Sequence, residues 1–359
     1  MDKIFSDKIN LLKALAIILV VSGHLEFRIF DMFPPYSFQL ALFFFISGML
    51  FKEKYLDDVV NFIKRRCKSL LLLYFIYSGF YALVTILIEK LSGKFWGSEI
   101  TLKSFFITPF LNGHQFDLSC PMWFVPQLFL TMISFLFFQR VLRNQNEWIK
   151  LGIYSLMGFL AIPLSKIVTL DSITLVAIRI MFSLFFVYLG YLYTTRIQNN
   201  YNIFTPKIAA TMICLQSVLW LFNRDFDPTH GIGLSYVLVW ARFDEQLIVP
   251  VLTSITGIWF SLFFIELTYN YLKDIKFLKL VGENTYHIMA NHLLVMFIIT
   301  AIILKLNGIP FEERNLHNIY WIYNPVQNTY LYFVLTMSLS TYIGVFLKLA
   351  KSKFFDKIS

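Results

Sequence analysis

The chain consists of long apolar runs separated by short polar segments. Ten of these runs are predicted to be helices, at residues 9–27, 37–51, 69–88, 122–139, 149–164, 173–193, 208–222, 246–269, 280–304 and 328–348. A helix needs about 20 mostly apolar residues to cross a bilayer, and most of the runs approach that length. The pattern therefore predicts an all-α, polytopic integral membrane protein with about ten transmembrane helices, organised as one domain over residues 1–359.

Composition supports this class and excludes others. Of the 359 residues 57% are hydrophobic and 15% are charged, whereas about 25% of a soluble domain is charged. An ordinary soluble globule, a disordered chain and a coiled coil are thereby excluded. The three cysteines, Cys67, Cys120 and Cys214, form no CxxC pair and no disulfide framework.

The basic residues predict an orientation. When the N-terminus is placed in the cytoplasm, 21 of the 31 Lys and Arg residues fall in cytoplasmic segments. Basic residues accumulate there because they resist translocation. We therefore expect both termini in the cytoplasm. The same rule accounts for the net charge of +9, so that the expected partner is a lipid bilayer and no nucleic acid.

The first predicted helix carries two ionisable side chains, Lys13 and His24. Eleven residues at 100° each come within about 20° of three full turns, so both side chains lie on one face, about 16 Å apart along the axis. Ionisable groups inside a span are functional candidates, although Lys13 could instead reach the membrane surface. Glu26 follows, either to orient His24 or to pair with Arg28 at the surface.

A basic cluster precedes the third helix and contains Lys64, Arg65, Arg66 and Lys68. The positive-inside rule explains its sign. A phosphate-rich cytosolic ligand would favour the same residues, because guanidinium groups bind phosphate with two hydrogen bonds. Both interpretations stay open.

Two further segments combine aromatic and small residues. The run Phe43–Gly48 reads FFFISG, and its small residues favour close helix packing. The sequence Met122-Trp123-Phe124-Val125 opens the fourth run. Trp123 is either an interfacial anchor or a donor whose indole N–H faces a cavity.

The ninth run begins with an unusually polar segment, Val281–His292. Glu283, His287 and Asn291 are four residues apart and predict one stripe, while Thr285 and His292 are seven apart and predict another. The polar side chains either form interhelical hydrogen bonds or line a polar pocket. We expect no metal site, because no third ligand follows at a recognised spacing.

Taken in order, these motifs resemble the acyltransferase-3 family of membrane O-acyltransferases. The features are Lys13 with His24, FFFISG at Phe43–Gly48, the basic residues 64–68, MWFV at Met122–Val125, and Gly282–His292. The branch of polysaccharide and fucose O-acetylases is the most similar. The resemblance covers nearly the whole chain.

The resemblance implies transfer of an acetyl group from cytosolic acetyl-CoA to a sugar hydroxyl of a cell-surface or lipid-linked polysaccharide, in the bacterial cytoplasmic membrane. His24 matches the essential histidine, expected as general base. Lys13 stands where the family usually has Arg, and with Arg65, Arg66 and Lys68 it is expected to bind the donor. The expected substrate pocket contains Glu26, Trp123, Asn291 and His292.

Other classes of polytopic protein stay open beside this one. A transporter or flippase of lipid-linked glycans and a glycan polymerase have similar hydropathy, and binding of CoA would distinguish them from an acyltransferase. The sequence leaves open the sugar, its hydroxyl, the acyl chain, the oligomeric state, and whether transfer is direct or through an acyl-histidine.

Overall fold

The structure, a computed structural model, describes residues 2–25, 27–93, 99–111, 116–167, 172–223, 233–243, 247–310 and 321–355. Among these residues all regular secondary structure is helical, apart from one isolated bridge between Val237 and Arg242. The prediction of an all-α chain is confirmed for this part of the protein.

Eleven helices form the framework of the described residues. They are α1 (Lys3–Gly23), α2 (Gln39–Met49), α3 (Val59–Ser92), α4 (Asp117–Val141), α5 (Glu147–Ile167), α6 (Ile173–Ile197), α7 (Pro206–Phe222), α8 (Val249–Leu272), α9 (Lys276–Glu283), α10 (Thr285–Leu306) and α11 (Pro325–Phe355). Single helical turns also occur at Glu53–Leu56, Leu102–Phe106, Thr108–Leu111 and Leu238–Trp240. Each of the ten predicted runs coincides with helix.

Seven of the described helices are long and apolar enough to cross a bilayer, namely α3, α4, α5, α6, α8, α10 and α11. The other predicted spans are also helical. However, α1 carries Lys3, Asp7, Lys8 and Lys13, and α2 and α7 have only 11 and 17 residues. The protein is thus a polytopic membrane protein by its apolar helices. The count of ten spans and the cytoplasmic termini stay predictions.

Two local departures from regular helix interrupt the spans. Residues Cys67–Leu71 of α3 form one turn of π-helix (the π-turn), which includes Lys68. The basic cluster was predicted to precede the third helix, but it lies within α3. The predicted ninth span is broken at Asn284, whose backbone (φ −113°, ψ 17°) separates α9 from α10. The sequence pattern predicted that Glu283 lies on one stripe with His287 and Asn291. Because the helix is broken at Asn284, Glu283 does not continue that stripe.

Helix α1 lies between two buried apolar clusters. Ile9, Leu12 and Leu19 belong to a cluster that also includes α2, α4 and α6. Ala14, Ile17, Val21 and Leu25 belong to a second cluster with α3, α10 and α11. Because apolar residues occupy both sides of α1, the helix is held in the centre of the bundle.

Glycines bring α2 and α6 into backbone contact. A Cβ atom added at Gly48 would overlap the carbonyl oxygen of Val187, and one added at Gly190 would overlap that of Phe45. The FFFISG motif thus ends at a close helix crossing, as small residues in membrane helices allow.

Replacing Gly190 by Ala is therefore expected to destabilise the bundle, since overpacking typically costs about 1–3 kcal/mol. Thermal unfolding of purified protein in detergent should show a lower transition temperature. Gly152→Ala in α5 is the matched control, because an added Cβ there has no heavy atom within 4 Å. Equal transition temperatures for the two variants would contradict the close backbone contact between α2 and α6.

Candidate functional site

A cavity of about 430 Å³ runs beside α1. Side chains from α2, α3, α4 and α10 and from the turn at Val237–Trp240 complete its wall, which is mostly apolar. Lys13 and His24 both line this cavity, and the intervening helix rises by about 16 Å. The structure thus brings together the two ionisable residues that the sequence placed on one face.

The end of the cavity at Lys13 is bordered by Leu70, Thr285 and Tyr286. The Tyr286 hydroxyl donates a hydrogen bond to the Leu70 carbonyl oxygen, at 3.0 Å. Leu70 lies in the π-turn of α3, and such turns occur often at functional sites. The irregular turn and its tyrosine therefore shape this end of the cavity.

Further charges surround the same end. Glu283 and Lys348 lie within electrostatic range of Lys13. The Lys348 ammonium donates a hydrogen bond to the Glu283 carbonyl oxygen, at 2.6 Å, which fastens α11 to the end of α9. Lys13 therefore lies among other charged groups, whereas most of the cavity wall is apolar.

The basic cluster lies beside the cavity and does not line it. Arg65 and Lys68 are exposed, and Arg66 is partly buried with its guanidinium 5.2 Å from the ring centre of Phe62. None of the three is among the residues of the cavity wall. Arg66 comes about one turn before Leu70, which does line it.

His24 follows the last residue of α1 and marks the other end of the cavity. Its Nδ1 atom is 2.8 Å from the hydroxyl oxygen of Tyr36. Its ring stacks on the ring of His292, with centroids 4.9 Å apart and planes 28° apart. The histidine is thus held at one ring edge and on one face.

His292 is fully buried and lies outside the cavity wall. Its Nδ1 is 2.9 Å from the carbonyl oxygen of Ile288, which can only accept, so Nδ1 carries the hydrogen. The Nε2 atom then presents a lone pair, with no hydrogen-bond partner in the described part of the chain. The late histidine therefore packs against the His24 ring. It was predicted as a residue of the substrate pocket, but it does not line the cavity as Thr285 does.

Asn291 belongs to an interhelical network between α3 and α10. Its Nδ2 donates to the Tyr77 hydroxyl oxygen at 2.9 Å, and the same oxygen is 2.8 Å from His287 Nδ1. Tyr81 donates to the Ala290 carbonyl oxygen at 2.6 Å. Asn291 and His287 do not line the cavity, which agrees with the hydrogen-bonding interpretation of this stripe.

The aromatic motifs supply the wall near His24. Phe43, Ile46 and Ser47 line the cavity from α2, while Trp123 and its neighbours line it from the start of α4. Phe44 packs in the apolar cluster on the other side of α2. Each motif thus has one face toward the cavity and one toward the protein core.

A buried cation fixes this wall. Arg179 is 1% exposed, and its guanidinium lies 5.9 Å from the ring centre of Trp123. It donates hydrogen bonds to the carbonyl oxygens of Leu111, at 2.5 Å, and Val239, at 3.4 Å. Its role was not predicted, although an ionisable residue inside an apolar run is a signal of functional or structural importance.

Tyr36 was also missed, although its hydroxyl oxygen lies 2.8 Å from His24 Nδ1. It lies in the segment 24–38 between α1 and α2, where no motif or periodicity marks it. The predicted partner, Glu26, lies outside the described residues. Across the described ranges, no group of three or more His, Cys, Asp or Glu residues could hold a metal ion.

The geometry combines three chemical capacities. His24 offers an imidazole for proton transfer, the apolar walls keep water from it, and Lys13 offers a positive charge to an anionic group. Such an arrangement suits a long ligand with an anionic end and a reactive end.

Comparisons with known proteins agree with this arrangement. A family model described as an acyltransferase domain, of the acyltransferase-3 type, matches residues 6–347. Neither the curated proteins nor the solved structures compared with the chain give a significant match. Since the family model covers nearly the whole chain, the chain belongs to the acyltransferase-3 family and is a membrane acyltransferase.

Proposed function

We propose that the protein transfers an acetyl group from cytosolic acetyl-CoA to a sugar hydroxyl of a cell-surface or lipid-linked polysaccharide, in the bacterial cytoplasmic membrane. The observation that carries the proposal is one cavity with Lys13 at one end and His24 at the other. The polysaccharide and fucose O-acetylase-like branch, which the motifs resemble, supplies the acetyl group and the sugar.

The donor would enter at the Lys13 end. The phosphates of CoA need cations, and Lys13, Arg65, Arg66 and Lys68 are the cations proposed to bind them. The arginines can bind phosphate with two hydrogen bonds, whereas Lys13 acts as a point charge. A thin, extended pantetheine arm could then follow the apolar wall over the roughly 16 Å to His24.

His24 would act on the acceptor at the opposite end. As general base it takes the hydroxyl proton of the sugar while the sugar oxygen attacks the thioester carbonyl. A new C–O bond forms, the C–S bond breaks, and the proton passes from the imidazole to the CoA sulfur. An acetyl-histidine route would use the same ring and leaves this placement unchanged.

The remaining pocket residues take different parts in this proposal. The indole N–H of Trp123, which lines the cavity, is a candidate donor to the oxyanion that forms at the carbonyl. His292 supports the His24 ring through their stacking. Asn291 acts through the packing of α3 on α10, and Glu26 retains its predicted place beside the acceptor.

Replacement of His24 by Ala tests the base. Acetyl transfer from labelled acetyl-CoA to envelope glycan should fall by about 100-fold or more, since a positioned base contributes about 10²–10⁴ in rate. Binding of acetyl-CoA to the purified variant, measured by calorimetry, should be retained, because the phosphates bind at the other end. Full transfer by the variant would remove the proposed role.

Replacement of Lys13 by Ala tests the donor end. A hydrogen bond to a charged group contributes about 1.5–3 kcal/mol, so the Kd of acetyl-CoA should rise about 10- to 100-fold. Lys13→Arg should bind as well as the parent protein. Lys305→Ala is the matched control, an exposed lysine in the last turn of α10.

Two results would count against this assignment of the donor end. Equal affinities for the Lys13→Ala and Lys305→Ala variants would place the phosphates elsewhere. Absence of any CoA binding by the parent protein, with loss of glycan export or polymerisation in cells lacking it, would favour a transporter or a polymerase.

A further inference from the structure

We propose that Tyr36 is a positioning residue for His24: its hydroxyl oxygen accepts the Nδ1 hydrogen in the tautomer whose Nε2 acts as the base, and so holds the imidazole in place. This inference rests on the proposed role of His24 as a base. It adds a residue from a segment in which the sequence shows no motif.

The contact between the two side chains is direct. The Tyr36 hydroxyl oxygen and His24 Nδ1 are 2.8 Å apart, and both residues line the cavity. The rings meet edge-on, with centroids 5.7 Å apart and planes 75° apart. The phenol hydroxyl therefore contacts the edge of the imidazole, where the nitrogens lie, and does not cover the faces of the ring.

The backbone of Tyr36 is held in an unusual conformation. Its φ of 64° lies in the left-handed region, which bulky side chains rarely adopt. The Tyr236 N–H donates to the Tyr36 carbonyl oxygen at 3.0 Å, and the Ser235 hydroxyl donates to the Pro35 carbonyl oxygen at 2.7 Å. Strained residues persist where surrounding contacts enforce them, and they concentrate at functional sites.

A glycine makes room for this segment beside the histidine. Gly23 directly precedes His24, and a Cβ atom added there would lie 3.1 Å from Cβ of Pro35 and 3.7 Å from the Tyr36 ring. The segment 35–36 can therefore pack closely against the end of α1, which brings the phenol to the imidazole.

His292 constrains the His24 ring from a second side. Its ring stacks on a face of His24, and its own Nδ1 hydrogen is engaged by Ile288. Rotation of the His24 ring is thus opposed on its face by His292 and at its edge by Tyr36. The two contacts together define the direction of Nε2.

The proton balance follows from this tautomer. The acceptor hydroxyl gives its proton to Nε2 as its oxygen bonds to the acetyl carbon, and the proton then moves to the CoA sulfur as the C–S bond breaks. The Nδ1 hydrogen stays between His24 and Tyr36 throughout. The phenol oxygen stabilises the imidazolium while it exists, as an oriented partner does for a catalytic histidine.

The test is Tyr36→Phe in the full-length protein, assayed with acetyl-CoA and purified glycan acceptor. We expect kcat to fall about 10- to 100-fold, the usual effect of removing a partner that orients a functional histidine. The KM for acetyl-CoA should be unchanged, and the double variant with His24→Ala should be no slower than His24→Ala alone.

Tyr332→Phe is the matched control. It removes the hydroxyl of a fully buried tyrosine that does not line the cavity and whose hydroxyl oxygen is 2.8 Å from the Thr300 hydroxyl oxygen. This variant should keep the parental kcat. If the loss of a hydroxyl acted only through packing, the melting temperature would fall and both tyrosine variants would be affected. The positioning role instead lowers kcat in Tyr36→Phe alone.

The outcomes separate this inference from the proposed function. An inactive parent protein would overturn both. An active parent, an inactive His24→Ala and a Tyr36→Phe variant with parental kcat would overturn the role of Tyr36 alone.

A second substitution at position 36 keeps the proposal testable if the Tyr36→Phe variant does not fold. If Tyr36→Phe shows no melting transition, 3,5-difluorotyrosine at position 36 keeps the shape and, at a pH at which its phenol stays neutral, makes the oxygen a weaker acceptor. The kcat should then fall several-fold at an unchanged melting temperature, and an unchanged kcat would overturn the proposal.

Discussion

The site depends on the continuity of one helix, α1. Eleven residues of regular helix set Lys13 and His24 on one face and about 16 Å apart, and both side chains line the same cavity. The ionisable groups Lys13 and His24 would be costly to expose to lipid. Packing between two apolar clusters keeps α1 in the interior, so the charged face meets a protein-lined cavity.

Polar contacts then fix the walls at both ends. Tyr286 joins α10 to the π-turn of α3 near Lys13, and Arg179 fastens the wall that contains Trp123. Each contact uses a backbone carbonyl, so the arrangement depends on helix positions as well as on side chains.

Hydropathy and period were enough to predict the helices and the shared face of Lys13 and His24. The stacking of His292 on His24 was beyond them, because the period placed His292 only on a stripe with Thr285. They failed where the local backbone conformation interrupts a helix. The break at Asn284 means that Glu283 does not lie on the predicted stripe with His287 and Asn291. Tyr36 was not predicted, because a left-handed residue in an aperiodic segment acts through tertiary contacts that no local pattern encodes.

The central claim is that one ligand spans the cavity from Lys13 to His24. A cryo-electron microscopy structure with a stable thioether analogue of acetyl-CoA tests it most directly. The predicted result is density inside the cavity, with the phosphates beside Lys13 and the sulfur beside the His24 ring. Density for the analogue outside the cavity, or a His24 ring turned toward lipid, would contradict the claim.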